Sequence, residues 1–198
     1  KILDDPKQGA AARALFEDAK DMLARIIAEK WFAPRAVVGF WPANTIGDDI
    51  SLFTDDSRTA PLATLHTLRQ QHAKREGRPN VALADFVAPQ GTPDWVGGFV
   101  VTAGPQEAAL ADRFDRANDN YSAILVKALA DRTAEAMAEM LHQRVRRDYW
   151  GYAPDESFAP EDLAAEPYRG IRPAPGYPAQ PDHTEKLTLF RLLDATTA

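Results

Sequence analysis

The chain has 198 residues, 45% of them apolar, which is enough for one domain, or two small lobes, with a core of its own. A net charge of -6 and a pI near 5.2 argue against a general nucleic-acid-binding protein, which needs a basic face to displace counterions. The absence of cysteine excludes disulfides, iron–sulfur ligation and a thiolate nucleophile.

The first half of the sequence predicts one helix and several strands. Apolar residues recur at helical spacing over 8–30, which indicates an amphipathic helix. The apolar run 35–42, which we expect Pro42 to end, and the short alternating run 50–54 predict an antiparallel hairpin. A segment starting near Pro61 fits either a strand or a helix, with the strand preferred, and one starting near Trp95 is predicted to be a strand.

Two helices are predicted next, over 106–116 and 120–147. The longer one places one apolar face against the core, and an acidic line, Asp131, Glu135 and Glu139, on the other side. The apolar face consists of Leu125, Leu129, Ala136, Met137 and Met140. A solvated helix face is the plain interpretation of the acids, and binding of a ligand ammonium or a partner imidazole is the functional one.

Strands and helices occur in blocks, which favours an α+β fold: an antiparallel sheet with long flanking helices and an extended Pro-rich C-terminal segment. We expect a single domain over 1–198. No glycine-rich turn links a strand to a helix as in dinucleotide-binding folds, and no Ser-His-Asp order stands out. The four histidines lack ligand spacing, so no metal site and no catalytic residue are predicted.

The Pro-rich segment 171–186 holds the strongest candidate site. Its prolines restrict the backbone, predicting a stiff rod without internal hydrogen bonds whose amides at Ala174, Gly176 and Tyr177 are open to a ligand. Arg172 suits a carboxylate, Tyr177 offers a ring and a hydroxyl, and Gly176 permits close approach. From the residues alone, a surface loop, a linker or a docking strip for an aromatic groove is more common.

Several stretches together resemble one family, the S-adenosylmethionine (AdoMet)-binding activation domain of cobalamin-dependent methionine synthase. They run in order through residues 35–190, and the most specific are DNYSAILVKALADRTAEAMAEMLHQRVRRDYWGYAPDE and YRGIRPAPGYPAQPDHTEK. The family's Arg-x-x-x-Gly-Tyr motif matches Arg172, Gly176 and Tyr177. The resemblance makes the ligand site the preferred interpretation of the Pro-rich segment.

The resemblance implies that Arg172 binds the AdoMet carboxylate, that backbone groups of Ala174, Gly176 and Tyr177 meet the adenine, and that Glu135 also contributes. It further implies partners: a cobalamin carried on another module and a flavodoxin or equivalent reductase that supplies an electron. Glu107, Asp131 and Glu135 are then expected to contact the cobalamin module. AdoMet is an activated methyl donor, so no general base is required.

The sequence departs from this family at three places. Gln180 stands where the family usually has cysteine, and the family's domain begins upstream of Lys1 and continues beyond Ala198, so we expect a domain truncated at its C-terminal end. We expect a cytoplasmic location, because no apolar run is long enough to span a membrane and no secretion signal opens the chain. We also expect a monomer. The alternatives are a docking domain without AdoMet, and a free-standing AdoMet-dependent methyltransferase.

Overall fold

The computed structural model describes residues 2–75, 77–163 and 165–196, which form two compact units. The first unit comprises Lys1–Arg35 and Val101–Glu156, and the second comprises Ala36–Val100 and Ser157–Ala198. Within the described ranges, no helix is both long enough and apolar enough to cross a bilayer.

The first unit is helical and confirms the predicted helices. A 3₁₀ turn at Ile2–Asp4 precedes α1 (Gly9–Glu29), and α2 (Gln106–Arg116) and α3 (Asn120–Arg144) follow later in the chain. Lys30, with φ of 53°, ends α1 in a left-handed cap whose amide donates to carbonyls of the last helical turn. The side chain of Asp119 caps α3 by accepting from the Ser122 amide at 3.0 Å.

The core of the first unit lies between α1, the residues that follow it, and the first half of α3. Trp31 and Phe32 are buried there, and the Trp31 ring lies 6.1 Å from that of Phe114 on α2. The buried members are Met22, Ile26, Trp31, Phe32, Ala103, Leu125, Val126, Leu129 and Ala130. The predicted apolar face of α3 is therefore correct for its first half only: Ala136 and Met140 are exposed. Buried residues of α3 recur only near its C-terminal end, at Leu141 and His142.

A buried ion pair ends the first unit. After α3 the chain makes one π-helical turn, Val145–Tyr149, closed by the Trp150 amide donating to the Val145 carbonyl at 2.9 Å. This turn carries Arg146, which is fully buried and donates to both carboxylate oxygens of Glu156 at 2.7 and 2.5 Å. A third donor nitrogen of Arg146 lies 2.6 Å from Nδ1 of His142. The π-turn thus places the buried guanidinium of Arg146 within hydrogen-bond distance of both Glu156 and His142.

The second unit is built on a four-stranded sheet in the order β3-β2-β1-β4. The strands are β1 (Arg35–Ile46), β2 (Asp49–Phe53), β3 (Pro61–His66) and β4 (Asp94–Thr102). β1 and β2 pair antiparallel across a two-residue turn containing Gly47, and β2 and β3 also pair antiparallel. The predicted hairpin and the predicted antiparallel sheet are confirmed.

Pro42 does not end β1, contrary to the sequence prediction. The strand continues through it to Ile46, and its pairing with β2 covers Ala43 to Ile46. Proline lacks an amide hydrogen, but at this position it is not part of the ladder with β2. The strand therefore tolerates it.

Short helices complete the second unit: a 3₁₀ turn at Leu83–Phe86, α4 (Pro160–Leu163) and α5 (Glu185–Leu192). The sequence analysis did not predict α5. A Cβ at Gly98 of β4 would lie 2.7 Å from Leu189, and one at Gly39 of β1 would lie 3.0 Å from Leu193. These glycines let α5 and the residue after it pack directly on the sheet.

Asn44 on β1 holds the loop that precedes β4. It is 2% exposed, and its side-chain amide donates to the carbonyls of Ala88, Pro89 and Thr92 at 3.2, 3.0 and 2.7 Å. We expect Asn44→Asp, which has nearly the same shape but cannot donate, to lower the free energy of unfolding by about 1–3 kcal/mol. Urea denaturation measures this. The exposed Asn118→Asp is the control, and equal stability of the two variants would contradict the role.

Arg69 joins the β1–β2 turn to the 3₁₀ turn. Its guanidinium donates to Asp48 at 2.5 Å and to both oxygens of Asp85 at 2.7 Å. These bonds, together with the Ala82 amide, lower the pKa of Asp85 from 3.8 to about 2. A carboxyl whose pKa is lower in the folded state stabilises the fold above its unfolded pKa, and this contribution fades as the pH falls.

We therefore expect the wild type to lose more stability than Asp85→Asn when the pH is lowered from 4 towards 2, because only the wild type loses the ionised Asp85. Urea denaturation at several pH values compares the two proteins. Parallel pH profiles would contradict this role of Asp85.

Candidate functional site

The Pro-rich segment of the second unit forms a tight turn at the motif Arg172-x-x-x-Gly176-Tyr177. The Tyr177 amide donates to the Ala174 carbonyl at 3.0 Å, and Gly176 has φ of 102°. Proline at the second position and a positive-φ glycine at the third are typical of a type II turn. Two further hydrogen bonds join the turn to Gln180. The Gly176 amide donates to the Gln180 carbonyl at 2.7 Å, and the Gln180 amide donates to the Tyr177 carbonyl at 2.9 Å.

The predicted rod without internal hydrogen bonds is therefore wrong from Ala174 onward. The amides of Gly176 and Tyr177, expected to be open to a ligand, are used inside the loop. A proline φ near -65° suits position two of a type II turn as well as an extended rod, and the following glycine allows the turn. The carbonyl oxygens that accept these bonds each keep a second lone pair, which together with the side chains is open to a ligand.

The side chains of this turn differ in exposure in a way that suits binding. Tyr177 is 64% exposed, Arg172 is half-buried, and Gln180 is only 5% exposed. The half-buried guanidinium of Arg172 suits an anionic group of a ligand, and the exposed ring of Tyr177 suits a flat ring. The buried Gln180 anchors the loop, at the position where the sequence departs from its resemblance.

His183 is an exposed residue of this region whose contact with the turn was not predicted from the sequence. A Cβ at Gly176 would lie 2.2 Å from Cε1 and 2.5 Å from Nε2 of the His183 ring. The space that Gly176 leaves open, interpreted from the sequence as room for a ligand, is thus filled by this ring. The signal available in the sequence was the short spacing between the glycine and the histidine.

The residues between the turn and α5 are ordered by their own hydrogen bonds. Asp182 accepts from the Thr184 amide at 2.8 Å, and the Lys186 amide donates to the His183 carbonyl at 3.2 Å. The pKa of Asp182 is lowered, first by the Thr184 amide and hydroxyl and to a smaller extent by the charge of His183. Asp182 is therefore ionised at neutral pH beside the imidazole.

The three acids predicted to contact a partner lie in the first unit. Asp131 and Glu135 are exposed on α3, and Glu107 is half-buried in the first turn of α2. Glu135 accepts from Arg132 at 2.9 Å, an exposed pair one turn apart that contributes little to stability. The acids are therefore accessible, as a contact role requires.

The first unit also carries an apolar groove of about 590 Å³ between its N-terminal residues, α1 and α3. It exposes large side chains that the predicted amphipathic pattern of α1 had assigned to a core, such as Leu15 at 49%. The groove is lined by Ile2, Leu3, Ala12, Leu15, Phe16, Ala19, Tyr121, Ile124, Leu125, Ala128, Leu129 and Arg132. Across the described ranges, no three His, Cys, Asp or Glu side chains converge as a metal site.

Comparison with known proteins identifies the family. The family model for the activation domain of vitamin B12 dependent methionine synthase matches residues 1–198. The chain belongs to this family. The resemblance stated from the sequence is thereby confirmed.

A solved structure supports the same assignment of this activation domain. It is described as the crystal structure of the MetH reactivation domain bound to AdoHcy, and it is 55% identical in sequence with a TM-score of 0.89. The match covers 98% of this chain and 60% of that one, so the chain spans about 60% of the relative's length. The predicted α+β fold of the activation domain is confirmed by this agreement.

Proposed function

We propose that the chain binds AdoMet at the turn Ala174–Tyr177 and acts as the reactivation module of a cobalamin-dependent methionine synthase. The observation that carries this proposal is the similarity, at 55% identity over 98% of the chain, to a reactivation domain bound to AdoHcy. AdoHcy is AdoMet without its transferable methyl group, so a site for one holds the shared adenosine and amino acid parts of the other.

The turn supplies the chemistry that such a ligand needs. Arg172 is half-buried, and a partly desolvated guanidinium binds a carboxylate by two parallel charge-assisted hydrogen bonds. The exposed ring of Tyr177 offers a face for the adenine. The carbonyl of Ala174 accepts one bond from Tyr177 and has a second lone pair for the adenine amino group.

The role of the domain is to bind and orient AdoMet. When bound, AdoMet supplies a methyl group already activated by its positive sulfur for transfer to the reduced cobalt of a cobalamin on another module. Holding that methyl carbon in line with its acceptor needs no proton transfer, which agrees with a site built from an arginine, a tyrosine and backbone groups. The domain is therefore part of a methyltransferase and not a complete enzyme by itself.

The partners follow from the same proposal. Glu107, Asp131 and Glu135 provide accessible carboxylates for the cobalamin module, and Glu135 is also proposed to reach the ligand. A flavodoxin or equivalent reductase supplies the electron that reactivation consumes. We propose a monomeric module that works in the cytoplasm.

One observation favours a second candidate, a docking domain without AdoMet. The exposed acids of α3 would serve a docking surface whether or not the turn binds a ligand. Ligand binding separates the two candidates.

Isothermal titration of AdoHcy into the 198-residue chain tests the proposed function. We expect saturable binding with one ligand per chain, and weaker binding of adenosine or methionine alone, because each lacks half of the contacts. A chain that is folded by circular dichroism but binds no AdoHcy would contradict the AdoMet role and leave the docking domain.

A further inference from the structure

The ring of His183 lies against the main chain of the turn. Gly176 has φ of 102°, and the position of a Cβ on it falls 2.2 to 2.9 Å from three atoms of the His183 ring. No side chain fits between them. The imidazole therefore blocks movement of Gly176 towards it and supports the main chain of the turn.

An exposed lysine also contacts the ring. Nζ of Lys186 on α5 lies 3.0 Å from Nδ1 of His183, and an ammonium can only donate, so Nδ1 is the acceptor. The other ring nitrogen, Nε2, lies 2.5 Å from the Cβ position of Gly176. The Asp182 carboxylate bonded to the Thr184 amide fixes the chain on both sides of the ring.

We propose that His183 is the positioning residue of the AdoMet-binding turn. Its ring keeps Gly176 and Tyr177 in the conformation that closes the hydrogen bonds to Gln180 and Ala174, and thereby holds the Ala174 carbonyl and Tyr177 in place for the ligand. This inference rests on the proposed function for its ligand. The contact between the His183 ring and Gly176 does not depend on a ligand.

The first test needs no ligand and measures amide hydrogen exchange of the 198-residue chain by NMR. In His183→Ala we expect exchange of the Gly176 amide to be about tenfold faster, because the loop opens more often. His183→Phe keeps a ring of similar shape and should restore the slower rate. The control is His66→Ala on β3, whose exposed ring lies 3.1 Å from the Asp49 carboxylate.

The second test is titration of AdoHcy into the same variants. His183→Ala should bind about tenfold more weakly, a change of roughly 1.4 kcal/mol, while His183→Phe and His66→Ala should stay near the wild type. Rescue by phenylalanine separates support of the turn from a general loss of stability, which thermal unfolding of each variant reports.

The outcomes separate the two proposals. A wild type that binds no AdoHcy contradicts the proposed function, and with it the ligand part of this inference, whatever the exchange data show. A wild type that binds, with either exchange or affinity unchanged in His183→Ala, overturns the positioning role alone. Faster exchange and weaker binding in His183→Ala, both rescued in His183→Phe, support it.

Discussion

Replacing Arg146 with alanine is expected to lower the free energy of unfolding by about 3–5 kcal/mol. Arg146 is fully buried, and its two bonds to Glu156 neutralise a carboxylate that is itself only 4% exposed. Alanine would leave that carboxylate buried without its cation and would empty the space of a large side chain. Because a domain is typically stable by only about 5–15 kcal/mol, the variant should be close to unfolding at room temperature.

Urea denaturation followed by circular dichroism measures this loss. Arg147→Ala is the matched control, since Arg147 is the next residue and is exposed, and it should change stability by less than about 0.5 kcal/mol. The double variant Arg146→Met with Glu156→Leu removes both charges and should be more stable than Arg146→Ala. An Arg146→Ala protein as stable as the control would show that the ion pair does not hold the π-turn.

The second large effect is expected on binding. Arg172→Ala should weaken AdoHcy binding by about 10- to 150-fold, because hydrogen bonds to a charged group contribute roughly 1.5–3 kcal/mol. Arg172→Lys keeps the charge but loses the planar fork, so an intermediate affinity is expected. Isothermal titration measures all three proteins.

Arg191→Ala is the control for this series. Arg191 is an exposed arginine of α5 whose guanidinium lies 3.4 Å from the Thr188 hydroxyl, and its loss should leave the affinity unchanged. If Arg172→Ala binds AdoHcy as the wild type does, the carboxylate is held elsewhere and the assignment of Arg172 is wrong. If both alanine variants weaken binding equally, the effect is one of overall charge.

Long elements with a clear period could be predicted from the sequence, and short ones could not. The spacing in 8–30 and 120–147 gave α1 and α3, and alternation gave the β1–β2 hairpin. α5 has only eight residues, and it packs through Leu189 on Gly98, which is far away in the chain. Local pattern carries no information on such contacts.

The candidate site shows the same division. Resemblance to a family located Arg172, Gly176 and Tyr177, but the shape of their segment was misjudged because prolines suit a turn as well as a rod. His183 could not be found by counting ligand spacings, since it acts through van der Waals contact with a glycine backbone. The exposure of Ala136 and Met140 on α3 was missed because apolar residues keep the helical period there even where no core faces them.

The most direct test of AdoMet binding at the turn is an NMR titration of the ¹⁵N-labelled chain with AdoHcy. The expected result is saturable shift changes that are largest at the amides of Ala174, Gly176 and Tyr177 and at the Arg172 side chain. Absence of saturable changes, or changes confined to residues lining the apolar groove such as Leu15, Phe16 and Ile124, would contradict it.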